Sequence, residues 1–171
     1  MKIMSFVGAR PQFIKVAPID HEFKRRDIEH VVVHSGQHYD DNMSAVFFKE
    51  LNISIPHYNL EVGSDSPGRQ TAKMIERFEE VVLKEQPDVI LLYGDTNTTV
   101  AGSLVASKLL IPVVHVEAGL RSYSKKNPDE VNRVVTDAIS DLLLPPSERY
   151  ANILKSEGKN LCLRRWKIVE W

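Results

Sequence analysis

Residues 112–133 read PVVHVEAGLRSYSKKNPDEVNR, and their order decides the fold. A β-branched run, Val113, Val114 and Val116, ends in a carboxylate, Glu117; Ala118 and Gly119 then leave little side-chain bulk, and a polar loop leads to Asn127-Pro128-Asp129-Glu130. Three buried-type valines ahead of an acid place Glu117 where a central strand leaves the core. A strand answered by a helix start is one step of a parallel sheet, in which ligands bind beyond the carboxyl ends of the strands. Asn127, Pro128 and Glu130 also fit an N-cap, a first-turn proline and a capping-box acid, so Glu130 has a structural reading beside a chemical one. Glu117 has no such ordinary reading, because three buried valines are not usually followed by an acid.

Outward from this stretch the chain alternates. Strands are expected over residues 2–7, 29–34, 88–93, 113–116 and 142–144, with an extended piece at 57–60. Helical spacing of apolar residues predicts helices over 42–51 (Met43, Val46, Phe47, Leu51) and 69–85 (Ile75, Phe78, Val82, Leu83 on one face). Further helices are expected from Pro11 to the basic end at Lys24–Arg26, over 98–109, 130–140 and 147–157, with Pro18 predicting a kink or restart in the first. Strands separated by helical crossovers imply an α/β fold with a doubly wound, mostly parallel sheet.

At 171 residues the chain is the size of one domain. Its net charge of −1 gives no reason to expect nucleic acid or an anionic membrane as partner, so any phosphate recognition must be local. The single cysteine, Cys162, excludes an internal disulfide framework, and the reducing cytoplasm is the expected compartment. The apolar run at the N-terminus is too short for a signal peptide or a membrane span. After residue 158 the character changes: the tail, 159–171, holds Cys162, both tryptophans (Trp166 and Trp171) and the basic Arg164, Arg165 and Lys167. The expected domain is therefore 1–158.

Three further clusters carry potential chemistry. In GARPQFIK (8–15), Arg10 and Lys15 stand near a helix N-terminus, which favours anions and disfavours cations; their placement suits a bound phosphate or carboxylate, or simple solvation. Glycine spacing for a P-loop or a dinucleotide fingerprint is missing, so nothing points to ATP or NAD and no cofactor is expected. In HSGQHYDD (34–41), His34, Gln37, His38 and Asp40 match no standard ligand spacing, and a polar loop is expected rather than a metal site. In YGDTNTT (93–99), Asp95 lies just past an apolar strand, where Asn97 or Thr98 is placed to cap the next helix. Asp95 and Glu117 leave strands expected to be neighbours, about 5 Å apart. Acids so close raise one another's proton affinity, which suits one of them to general acid or base work. His115 points away from Val114 and Val116 and is expected as a hydrogen-bonded core histidine.

GARPQFIK, SGQHYDDNM, YGDTNTT, HVEAGLRS and PDEVNR, in this order and spacing, closely resemble the N-terminal half of the non-hydrolysing UDP-N-acetylglucosamine 2-epimerase family, over roughly residues 1–158. The resemblance implies a Rossmann-like domain, one half of a two-domain architecture similar to GT-B glycosyltransferases, with the active site between the halves and a homodimer formed largely through this one. It implies C2 epimerisation of a UDP-2-acetamido sugar by elimination of UDP and re-addition. Asp95, Glu117 and Glu130 match the acid/base positions, and Arg10 and Lys15 match groups that engage the substrate or its diphosphate. Gln37, His38, Arg69 and Gln70 match the surroundings of an activator site, although Asp40 stands where regulated members carry glutamine. The GARPQFIK and GQHYDDNM wording is closer to the branch acting on UDP-2,3-diacetamido-glucuronate than to the GTRPEAIK form. With the second domain absent, little or no epimerase activity is expected of the chain alone. A non-catalytic nucleotide-sugar-binding module and a half of a GT-B glycosyltransferase are the alternatives.

Overall fold

The computed structural model describes residues 1–36, 55–124 and 126–159. Six strands, β1 (Lys2–Val7), β2 (Glu29–His34), β3 (Tyr58–Asn59), β4 (Val89–Tyr93), β5 (Val113–Val116) and β6 (Leu142–Leu144), form one sheet in the order β3-β2-β1-β4-β5-β6. Every pairing is parallel. The helices are α1 (Arg10–Arg25), α2 (Pro67–Glu85), α3 (Asn97–Lys108), α4 (Pro128–Ile139) and α5 (Glu148–Ser156). This is the Rossmann-like doubly wound arrangement expected from the strand and helix alternation. The winding reverses between β1 and β4, and the crevice at such a switch point is where this class of sheet binds ligands.

The central strands β1 and β4 are buried on both faces, and alternate residues divide the core. Met4, Phe6, Val31, Val33, Ile90, Leu92 and Val113 pack under α2 and α3, where Phe6 and Phe78 stack with ring centroids 3.8 Å apart. On the opposite face Ile3, Val7, Val32, Val89 and Leu91 meet Phe13, Val16 and Ala17 of α1. A third small cluster, Ala118, Leu143 and Leu154, holds α5 against the β5 and β6 ends.

Three local expectations are corrected. Residues 10–25 form one helix that does not restart at Pro18; that proline lies on the exposed face, where water can satisfy the carbonyl it leaves without a donor. Leu83 is 59% exposed; the buried stripe of α2 runs instead through Gln70, Met74, Phe78, Val81 and Val82. The N-cap of α3 is Thr96, with no side-chain capping bond, rather than Asn97 or Thr98. The helix expected over 42–51 lies outside the described residues.

Candidate active site

Three chain segments leave the carboxyl edge of the sheet at the switch point, after β1, β4 and β5. A buried glutamine ties the first two together. Gln12, in the first turn of α1, accepts from the Gly8 and Ala9 amides at 2.7 and 3.0 Å and donates to the Tyr93 carbonyl at 2.6 Å. Sequence reasoning passed over this residue; its place three positions beyond the N-cap Ala9 was the available signal. Gly8 admits no side chain, because a β-carbon there would collide with the hydroxyls of Thr98 and Ser35, which are hydrogen-bonded to each other at 2.8 Å.

Glu117 sits at the tip of β5 with φ +72°, a left-handed conformation that side chains other than glycine rarely adopt. Its carboxylate forms an ion pair with the Lys15 ammonium, and both side chains are 30% exposed. The pair lies over Gly94, itself at φ +67°, where a β-carbon would approach Glu117 Oε2 to 3.3 Å and Lys15 Nζ to 3.7 Å. Gly94 follows Tyr93, the register partner of Val116, and its amide donates to the Val116 carbonyl at 3.0 Å. Asp95 and Glu117 therefore do leave adjacent strands. Each carboxylate has its own cation, since Asp95 pairs with Arg133 of α4.

Arg133 also reaches Glu130 at 3.2 Å, so one guanidinium bridges two of the three acids. Glu130 is buried and does not close a capping box. Its oxygens accept from the Ser122 amide and hydroxyl at 2.8 and 3.1 Å and from the Tyr123 amide at 3.0 Å, folding the loop after β5 back onto α4. Burial alone would raise the Glu130 carboxyl. The two backbone donors, the Ser122 hydroxyl and Arg133 outweigh that and hold it below the ordinary carboxylate range. Asn127 does cap α4, accepting from the Asp129 amide at 3.1 Å.

Of the remaining expected site residues, Arg10 is exposed at the first position of α1. Arg69 is exposed in the first turn of α2, whereas Gln70 is buried. Gln70 donates to the Gly63 carbonyl at 2.8 Å and accepts from Asn97 at 2.9 Å. Asn132 completes this chain of amides, donating to the Asp95 carbonyl at 3.0 Å and to Asn97 Oδ1 at 3.3 Å. Gln37 and His38 lie outside the described residues. His34 is buried, accepting from the Gly36 amide at 2.8 Å, and among the described residues no group of three potential ligands is arranged to hold a metal. His115 is the buried, hydrogen-bonded histidine expected. Arg133 and Asn132 stood in view in PDEVNR, but their roles depend on the approach of α4 to the turn after β4.

The comparisons with known proteins fall on this framework. The family model described as UDP-N-acetylglucosamine 2-epimerase matches residues 21–166. The chain belongs to the UDP-N-acetylglucosamine 2-epimerase family. Within this family it is 55% identical over 160 residues to a UDP-N-acetylglucosamine 2-epimerase homolog of Methanococcus maripaludis, covering 94% of this chain and 44% of that protein. It is 45% identical over 159 residues to the UDP-2,3-diacetamido-2,3-dideoxy-D-glucuronate 2-epimerase of Pseudomonas aeruginosa, covering 92% and 45%. The crystal structure of Methanocaldococcus jannaschii UDP-GlcNAc 2-epimerase in complex with UDP-GlcNAc and UDP superposes with a TM-score of 0.90 at 49% identity, over 94% of this chain and 44% of that one. The chain thus spans less than half the length of these relatives. No helix among the described residues is long and apolar enough to cross a membrane.

Proposed function

We propose that residues 1–158 are the N-terminal domain of a GT-B-like, two-domain UDP-sugar 2-epimerase acting in the cytoplasm as a homodimer, with residues 159–171 outside that domain. The carboxyl edge at the β1/β4 switch is one wall of its active site, and the rest of the family's length supplies the facing wall. The substrate is a UDP-2-acetamido sugar, either UDP-GlcNAc or its 2,3-diacetamido-glucuronate counterpart.

Inverting C2 requires one group to take the C2 proton and another to return a proton on the opposite face. Between these steps the C1–O bond breaks, UDP leaves with the bonding electrons and a 2-acetamidoglucal remains; re-addition of UDP reverses the step. Asp95, Glu117 and Glu130 are the acid/base set. Glu117 and Asp95, on adjacent strand exits, are the more open pair. Glu130 is the most deeply engaged, and also fixes the loop and Arg133. Arg10 and Lys15 meet the diphosphate, Lys15 exchanging part of its interaction with Glu117 for phosphate oxygens and so freeing that carboxylate for the proton. Arg69, Gln70, Gln37 and His38 border an activator site, which the amide chain from Gln70 to Asn132 connects to Asp95.

The observation that supports this reading is the convergence of three carboxylates and two pairing cations at the switch-point edge, with Glu117 held at positive φ. Strain retained at a partly exposed acid is characteristic of functional sites. The test is to join residues 1–159 to the portion of the Methanococcus maripaludis relative that this chain does not match. Offered UDP-GlcNAc and UDP-2,3-diacetamido-glucuronate, the chimera is expected to epimerise one of them at C2. A folded chimera that epimerises neither overturns the reading.

A further inference from the structure

We infer that His115 and Asp137, neither of them among the proposed acid/base groups, act as a pair of positioning residues that lock the β4 exit turn bearing Asp95 to the β5 exit loop that follows Glu117. The inference concerns the site proposed above and rests on that reading for its purpose, though its geometry stands alone.

Both side chains are buried, at 0% and 1% exposure. His115 Nδ1 lies 2.7 Å from Asp137 Oδ1, and Nε2 lies 2.7 Å from the carbonyl oxygen of Gly94, the residue before Asp95. The other Asp137 oxygen accepts from the Gly119 amide at 3.1 Å, two residues past Glu117, and from Arg121 at 2.7 Å. Arg121 continues to the Leu120 carbonyl at 2.7 Å and to both oxygens of Glu157 at 2.8 and 2.7 Å. One imidazole and one carboxylate therefore run from the backbone of one strand exit to the backbone of the next, anchored in α4.

The direction of each bond follows from the partners. The Gly94 carbonyl can only accept. Burial alone would raise the Asp137 carboxyl, but His115 and Arg121 outweigh it and hold it below the ordinary carboxylate range, so it too accepts. Nε2 of the ring therefore donates to the Gly94 carbonyl, while Nδ1 faces the Asp137 carboxylate.

Such a pair is a costly way to fill a core, since burying charges rarely stabilises more than apolar side chains of the same volume. What apolar residues cannot do is fix a carbonyl and an amide on two separate turns. Both turns need fixing, because they carry Asp95 and Glu117, the latter at positive φ, and placement of reacting groups to about 0.5 Å depends on such support.

The experiment uses the chain itself, without nucleotide sugar. In 15N-histidine-labelled protein, a slowly exchanging Nε2–H signal is expected from His115; its absence overturns the inference. In Asp137→Asn, hydrogen exchange at the Gly94, Glu117 and Gly119 amides is expected to accelerate at least about tenfold while α1 and α2 amides keep their protection. Val134→Ala, on the exposed face of α4, is expected to change none of them. Acceleration spread evenly over the sheet, or confined to α4, would mean a merely structural role. If Asp137→Asn fails to fold, the wild-type ring signal decides. Because neither arm involves a UDP-sugar, failure of the epimerase reading leaves both measurements intact.

Discussion

Lys15 in the second turn of α1 is ion-paired with Glu117 at the tip of β5, a contact between residues 102 positions apart that spans the β4 exit over Gly94. The pair is partly exposed, so its own contribution to stability is small, about 0–1 kcal/mol. Its importance is in where it holds the carboxylate.

The backbone at Glu117 can be examined separately from its charge. Glu117→Ala and Glu117→Gly both remove the ion pair, but only glycine adopts φ +72° without strain. Glycine is expected to be the more stable of the two by about 1 kcal/mol, reversing the usual order. Urea unfolding of both variants checks this; an alanine variant as stable as the glycine one would remove the strain from the account.

Gln12 carries the link between the β1 turn and the end of β4. Gln12→Ala leaves the buried Gly8 amide without its acceptor, whereas the Tyr93 carbonyl keeps the Thr99 hydroxyl at 2.8 Å. The expected cost is about 2–3 kcal/mol, read as a lower urea midpoint at unchanged slope. A loss below about 0.5 kcal/mol, the level of an ordinary surface change, would contradict the strut.

On the α1 face of the sheet His30 lies between Asp20 Oδ1 at 2.7 Å and Ser5 Oγ at 2.8 Å, and Ser5 reaches the Tyr93 hydroxyl at 2.9 Å. Burial lowers the His30 imidazole below its usual range, against the opposing pull of Asp20. The native state then binds fewer protons than the unfolded chain, whose histidine titrates near about 6.5. The contribution is complete above that pH and is lost as pH falls through the lower folded value. Stability is expected to decline between pH 7.5 and 5.5, with a shallower decline in His30→Gln. Identical slopes in unfolding experiments at the two pH values would rule out His30 as the source.

The sheet was legible because its signals are local. Three valines before Glu117, the run ending at Tyr93 and EHVVVH each mark a strand buried on both faces, and the observed bounds agree to within a residue. The positions of Asp95 and Glu117 on neighbouring exits followed from that order. Their partners did not, because Lys15, Arg133 and Asn132 reach them across gaps set only by helix packing. Local pattern also misled at Pro18 and Leu83, where exposure of a helix face decided between two readings of the same spacing. Glu130 shows the same limit: an acid at a capping-box position bonds instead to the Ser122 and Tyr123 amides of a loop that folds back onto it.

In the proposed function the Glu117 edge handles the C2 proton of a UDP-sugar. The direct measurement is incubation in D2O of the full-length chimera with whichever UDP-sugar it epimerises, followed by NMR at C2, for the wild-type segment and for Glu117→Gln. Epimerised product carrying deuterium at C2 is expected from the former, with turnover at least about 100-fold lower in the variant. Product that retains its C2 hydrogen, or undiminished turnover in Glu117→Gln, would contradict the account.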